Sequence, residues 1–193
     1  VLAKETSKWL RAIMVLVSAI LWFAIPMIAQ TKLPQDYLAG NGKLLDYREG
    51  LGSFMAVVDN QGKRQLEIDR LWQGETGRNH QSMAAHIPMF HHDRPEDVLV
   101  IGFGAGQTAK SFLMHPTLKS LDCVDLEEGL VELIRKHFDS RWLDDPRVHQ
   151  IVDDGRNFLT HTQKKYDLIS IEAGQTFRPQ VAKLYSYEFY ENA

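Results

Sequence analysis

The chain has 193 residues, with 22 Lys and Arg against 25 Asp and Glu and a net charge of −3. An apolar fraction of 44% and a charged fraction of 24% are those of a folded protein and exclude a disordered or collagen-like chain. The near-zero charge gives no field for capturing nucleic acid, and the single cysteine, Cys123, excludes an internal disulfide framework and a Cys-rich zinc site.

The first element in chain order is apolar. Residues 12–29 read AIMVLVSAILWFAIPMIA without a charge, and Lys4, Lys8, Trp9 and Arg11 precede them. As a helix this run would be about 27 Å long, so it reads as a transmembrane helix behind a basic flank at 1–11. A signal peptide and a buried core helix are the competing readings; Met27 is large for a signal cleavage site. The first reading anchors the protein in a membrane of the bacterial inner-membrane type, with the side of the domain open.

Residues 30–42 (QTKLPQDYLAGNG) read as a linker. Alternating segments at 44–48, 54–59 and 64–69, with a turn at Asn60-Gln61-Gly62, predict a small antiparallel β module within 43–75. From residue 76 the period changes. A helix is expected over 80–91, stopping near Pro88, then a buried strand at 97–101 (DVLVI), a glycine-rich turn and a helix through Met114. Strands at 120–124, 148–152 and 166–171 follow, with helices at 129–138, 156–160 and 186–192 between and after them. Strands alternating with helices imply an α/β domain with a doubly wound parallel sheet over 76–193. Four strands leave such a sheet short, so the domain reads as C-terminally incomplete.

Four features of this sheet carry chemistry. The turn Gly102-Phe103-Gly104-Ala105-Gly106 lets the backbone approach a ligand at the positive end of the next helix; Gln107 stands where a dinucleotide fingerprint needs its third glycine. Asp125 ends the second strand 19 residues after Gly106, where a carboxylate can accept both ribose hydroxyls. Asp154, in Asp153-Asp154-Gly155-Arg156, can accept an adenine amine. Glu172 ends the fourth strand and can hold or deprotonate an amine. Each also has a plainer reading: a structural turn, a helix N-cap for Asp125 and Asp154, a solvated loop acid for Glu172. His80, His86, His91 and His92 lack convergent acids at ligand spacing, so no metal site is expected. Cys123, inside a strand, reads as an inert core thiol.

Taken together, the segments resemble the polyamine aminopropyltransferases, the spermidine synthase family. The stretches that carry the likeness are YREGLGSFMAVVD (47–59), LWQG (71–74), MAAHIPM (83–89), DVLVIGFGAGQT (97–108), CVDLEEG (123–129), DPRVHQIVDDGRNFL (145–159), KYDLISIEA (165–173) and LYSYEFYENA (184–193). Val100 stands where methyltransferases of the same fold place an acid, and His86-x-Pro88 is a family signature. The resemblance implies a Rossmann-like sheet of the class I methyltransferase type, with decarboxylated S-adenosylmethionine as donor, a di- or polyamine or other small amine as acceptor, and no metal. It implies that Gln73, Gly102, Gly104, Gly106, Asp125 and Asp154 bind the donor and that Glu172 is the amine-binding base. A homodimer through the β module is a further family expectation.

The amine side departs from the family. Ala105 replaces an acid in the glycine turn, Glu172 and Gln175 stand for a pair of Asp, and His80 and Ser82 replace Tyr and Glu. Gln175 cannot act as a base, so adenosyl binding is expected to be better preserved than polyamine recognition. Two alternatives to aminopropyl transfer follow: methyl transfer from S-adenosylmethionine, and a non-catalytic membrane protein that binds the nucleotide.

Overall fold

The computed structural model describes residues 2–29, 42–77 and 80–193, with side chains over 8–23, 42–77, 80–178 and 180–193. Helix α1 (Leu2–Ala29) belongs to one unit and everything from the first strand onward to a second. Side chains 8–23 of α1 are exposed. Among the described residues no helix is long and apolar enough to cross a membrane. This corrects the expected transmembrane helix at 12–29 and the membrane-anchored location built on it. Lys8 and Arg11 place charge within the stretch whose side chains are described, where a span calls for an uninterrupted apolar run. The linker expected at 30–42 falls outside the described residues except for Gly42.

Strands β1 (Lys43–Glu49), β2 (Phe54–Asn60), β3 (Lys63–Ile68) and β4 (Leu71–Glu75) form an antiparallel sheet in sequence order. The fourth strand is an addition to the three expected. Its hairpin turns on Asp69 and Arg70, both at positive φ (50° and 62°), which is the backbone that tight hairpins need. Asp-Arg lacks the glycine that usually signals such a turn. Asp69 Oδ1 fixes it by accepting the Phe54 N–H at 3.0 Å.

The second sheet is parallel, in the order β7 (Val148–Val152), β6 (Ser120–Asp125), β5 (Asp97–Ile101), β8 (Leu168–Ile171). Alternation along β5 sends Val98 and Val100 to one core and Leu99 and Ile101 to the other, as a sheet covered on both faces requires. Helices α2 (His80–His91), α3 (Gln107–Phe112) and α4 (Leu130–His137) contribute Ala85, Met89, Phe112 and Leu133 to the first core. Phe158 of α5 (Gly155–His161) and Phe189 of α6 (Tyr187–Asn192) pack into the second. Helix α2 continues to His91 because Pro88 lies in its last turn.

Met55, Val57 and Leu66 of the β module are fully buried in the first core, so the module is docked on the parallel sheet. Polar contacts fix the same junction. Asp46 Oδ2 accepts hydrogen bonds from Lys136 Nζ at 2.6 Å and His137 Nε2 at 2.9 Å, and Arg64 Nη1 donates to the His137 carbonyl at 2.8 Å. The Lys136 hydrogen bond, with His137, lowers the Asp46 pKa to about 2 against the cost of burial.

Candidate active site

Parallel sheets present ligands with the carboxyl ends of their strands, and here those ends open into one cleft. Its floor is the turn after β5, with Gly102 and Gly104, and one wall is formed by Asp125, Leu126, Glu127, Asp153, Asp154 and Gly155 after β6 and β7. The opposite wall follows β8 and includes Ala173, Gln175, Arg178, Val181 and Leu184, while Ser53, Ile68 and Gln73 of the β module make the lip.

Glycine is required at two places in the floor. Gly104 has φ 48°, and a Cβ there would lie 3.0 Å from the Gln73 carbonyl, so the turn and the lip approach closely. Gly106 has φ 81°, and its Cβ would meet the Trp142 ring at 2.4 Å. Trp142 in turn packs edge-on against Phe103. Gly106 thus seats the turn on the core, and it does not line the cleft.

Asp125 is the most perturbed acid of the cleft. Burial raises its pKa to about 6, with the neighbouring Glu127 carboxylate adding to the rise; N–H groups of Glu127, Gly104 and Leu126 oppose it. The Glu127 N–H reaches Asp125 Oδ1 at 3.1 Å. A carboxylate held this way resists ionisation until a ligand supplies further donors. Glu127 is buried and is tied to the lip by the Ser53 hydroxyl.

Asp154 caps α5, accepting the Arg156 N–H at 2.9 Å, and its other oxygen takes Arg156 Nη2 at 2.9 Å. Burial works to raise its pKa, but the Arg156 hydrogen bonds outweigh that and hold it below the ordinary carboxylate value. The capping role and a cleft-lining position therefore coincide in one residue. Asp153 beside it is held by the Asn157 amide at 2.9 Å.

The amine-side residues are dispersed. Glu172 leaves β8 with its N–H on the Ile101 carbonyl, and its carboxylate accepts the Ser170 hydroxyl at 2.7 Å and the Thr108 hydroxyl at 2.8 Å. It does not line the cleft. Gln175 does, donating its amide to the Trp72 carbonyl at 3.2 Å. His80 starts α2, exposed, with its ring 5.4 Å from that of Trp72 and away from the cleft walls. His86 pairs with His115 at 2.8 Å on the other side of α2, where burial and the second imidazole lower the His115 pKa. Ala105 is buried against Gly74 and carries no charge into the floor. Cys123 is fully buried, and burial pushes its thiol far up.

Of the residues singled out from sequence, Gln73, Gly102, Gly104, Asp125, Asp154 and Gln175 meet in the cleft, and Gly106, Glu172 and His80 stand outside its lining. Sequence reasoning missed Ser53, Glu127 and Arg178 as lining residues. Glu127 follows Asp125 by two positions and belongs to no motif of its own; Arg178 precedes Pro179 in a segment with no periodicity.

A parallel sheet with a glycine turn after its first strand and acids at the next two strand ends defines a Rossmann-like fold of the methyltransferase type. The spermine/spermidine synthase domain matches residues 78–193, and the chain belongs to that family. It is 35% identical over 112 residues to a polyamine aminopropyltransferase of Methanocaldococcus jannaschii, covering 57% of this chain and 38% of the relative. It is 37% identical over 110 residues to one of Bacillus subtilis, covering 56% and 40%. The chain therefore spans about two fifths of the length of these relatives. Among solved structures, a spermidine synthase in complex with the transition state analogue AdoDATO has the same fold, with a TM-score of 0.72, 24% identity, and 81% of this chain and 58% of that chain covered. Spermidine synthase from Thermotoga maritima matches with a TM-score of 0.63 and 23% identity over 70% of this chain and 53% of that one.

Proposed function

We propose that the chain binds decarboxylated S-adenosylmethionine and transfers its aminopropyl group to a small amine, with polyamines as the class named by its relatives. One observation carries this reading: Gln73, Gly102, Gly104, Asp125 and Asp154 gather in a single cleft of a family member. Asp125 is suited to the ribose hydroxyls and Asp154 to the adenine amine, both on the β6–β7 wall. The AdoDATO complex of a spermidine synthase with the same fold supports it.

In the reaction the amine nitrogen attacks the carbon next to the sulfonium. The new C–N bond takes the amine's lone pair, the C–S bond breaks, and its electron pair leaves with sulfur as neutral methylthioadenosine. The sulfonium activates its own departure, so the protein contributes alignment and charge. An alkyl amine titrates near the lysine value of about 10.4, so a carboxylate must bind the cation and accept a proton. Glu172 fills that role in this reading. Its carboxylate, next to the lining residue Ala173, is oriented by the hydroxyls of Ser170 and Thr108.

Glu172→Gln should lower turnover by about 10²-fold or more, the usual share of a general base, while methylthioadenosine affinity changes by less than about threefold. Steady-state kinetics beside calorimetric titration separates the two. Unchanged turnover would remove Glu172 from this role.

A further inference from the structure

The order of strands sets out the cleft from end to end. A nucleoside held by Asp154 and Asp125 lies over β7 and β6, its 5′ substituent passes over the glycine turn of β5, and whatever reacts there extends towards β8. Charge along this line is uneven. Asp125, Glu127, Asp153 and Asp154 all stand at the nucleoside end. Past the glycine turn the lining residues are Ala173, Gln175, Arg178, Gln180, Val181 and Leu184, while the Glu172 carboxylate is held by Ser170 and Thr108 outside the lining. The charged side chain that lines the cleft on this wall is thus a guanidinium.

Arg178 is built into place. Its side chain is 24% exposed, and Nη2 donates to Asp69 Oδ2. Asp69 is itself fixed, since its other oxygen holds the Phe54 N–H across the hairpin turn of the lip. That ion pair uses one of five guanidinium donors, and no other side-chain partner of Arg178 occurs among the described residues. The remaining planar donors suit a carboxylate, whereas a bare polyamine would bring a cation against a cation. Gln175, three residues earlier, has given its amide N–H to Trp72 and keeps its amide oxygen as an acceptor for an ammonium.

Building on the aminopropyl-transfer reading above, we propose that Arg178 binds a carboxylate carried by the acceptor beside its amine, so that the acceptor is of the amino-acid type. Two probes that differ by one carboxylate test this: the 193-residue chain, saturated with methylthioadenosine, is titrated with ornithine against 1,4-diaminobutane.

Ornithine should bind at least tenfold more tightly. Arg178→Gln should bring the ratio to about one. Arg178→Lys keeps the charge that pairs with Asp69 and loses the fork, and should reduce the ratio at least threefold; it carries the comparison if the Gln variant no longer takes up methylthioadenosine. Equal or tighter binding of 1,4-diaminobutane, or a ratio unchanged in these variants, overturns the proposal and leaves the adenosyl reading standing. A wild-type chain that does not bind methylthioadenosine overturns both.

Discussion

Asp125 joins stability and binding in one carboxylate. Its pKa of about 6 lies above the ordinary 3.8, so the folded chain holds more protons than the unfolded chain between those values. Stability is therefore highest with Asp125 protonated and falls as pH rises through about 4 to 6. Binding has the opposite sign, because only the ionised form accepts two ribose hydroxyls. Methylthioadenosine affinity should fall as pH drops below about 6, and Asp125→Asn should both flatten that dependence and weaken binding by about 1.5–3 kcal/mol, the range for hydrogen bonds to a charged group. Titration calorimetry across pH 5–8 checks this; a wild-type profile as flat as that of the Asn variant would remove Asp125 from the nucleoside. The spacing of Asp125 from the glycine turn was legible because it follows from one βαβ unit. Arg178 and the displacement of Glu172 were not, since they depend on hydroxyls and a carboxylate that distant segments bring alongside.

Among the elements, the glycine turn does most to shape the cleft. Gly104 lets it approach Gln73, while Gly106 seats it on Trp142. A side chain at Gly106 must adopt φ 81° and displace a ring that is only 4% exposed. Gly106→Ala should cost about 2–4 kcal/mol through backbone strain and overpacking. Urea unfolding measures it, and a loss under 0.5 kcal/mol would show that the turn and Trp142 adjust freely. The periods of β5 to β8 and their helices were readable to within a few residues, most clearly at β5, because a strand buried on both faces leaves a continuous apolar run. Strand β4 was not, because its hairpin turns on Asp69-Arg70 and its segment is short. The end of α2 was misplaced for a related reason: a proline in a last turn breaks less of a helix than its sequence position suggests.

For the whole molecule, the β module matters as a lip. It is docked through Met55, Val57 and Leu66 and through Asp46, and it places Ser53, Ile68 and Gln73 opposite the strand ends. The apolar run near the N-terminus was the feature that composition made most conspicuous, yet hydropathy reports transfer out of water and says nothing of the nucleotide chemistry of the following domain. The central claim is aminopropyl transfer in this cleft. Its most direct test is to incubate the chain with S-adenosylmethionine and its decarboxylated form, together with diamines, polyamines and diamino acids, and to identify the adenosyl by-product by mass spectrometry. The account predicts methylthioadenosine together with an amine that has gained an aminopropyl group. S-adenosylhomocysteine with a methylated product, or no transfer from the decarboxylated donor while the nucleoside is bound, would contradict it.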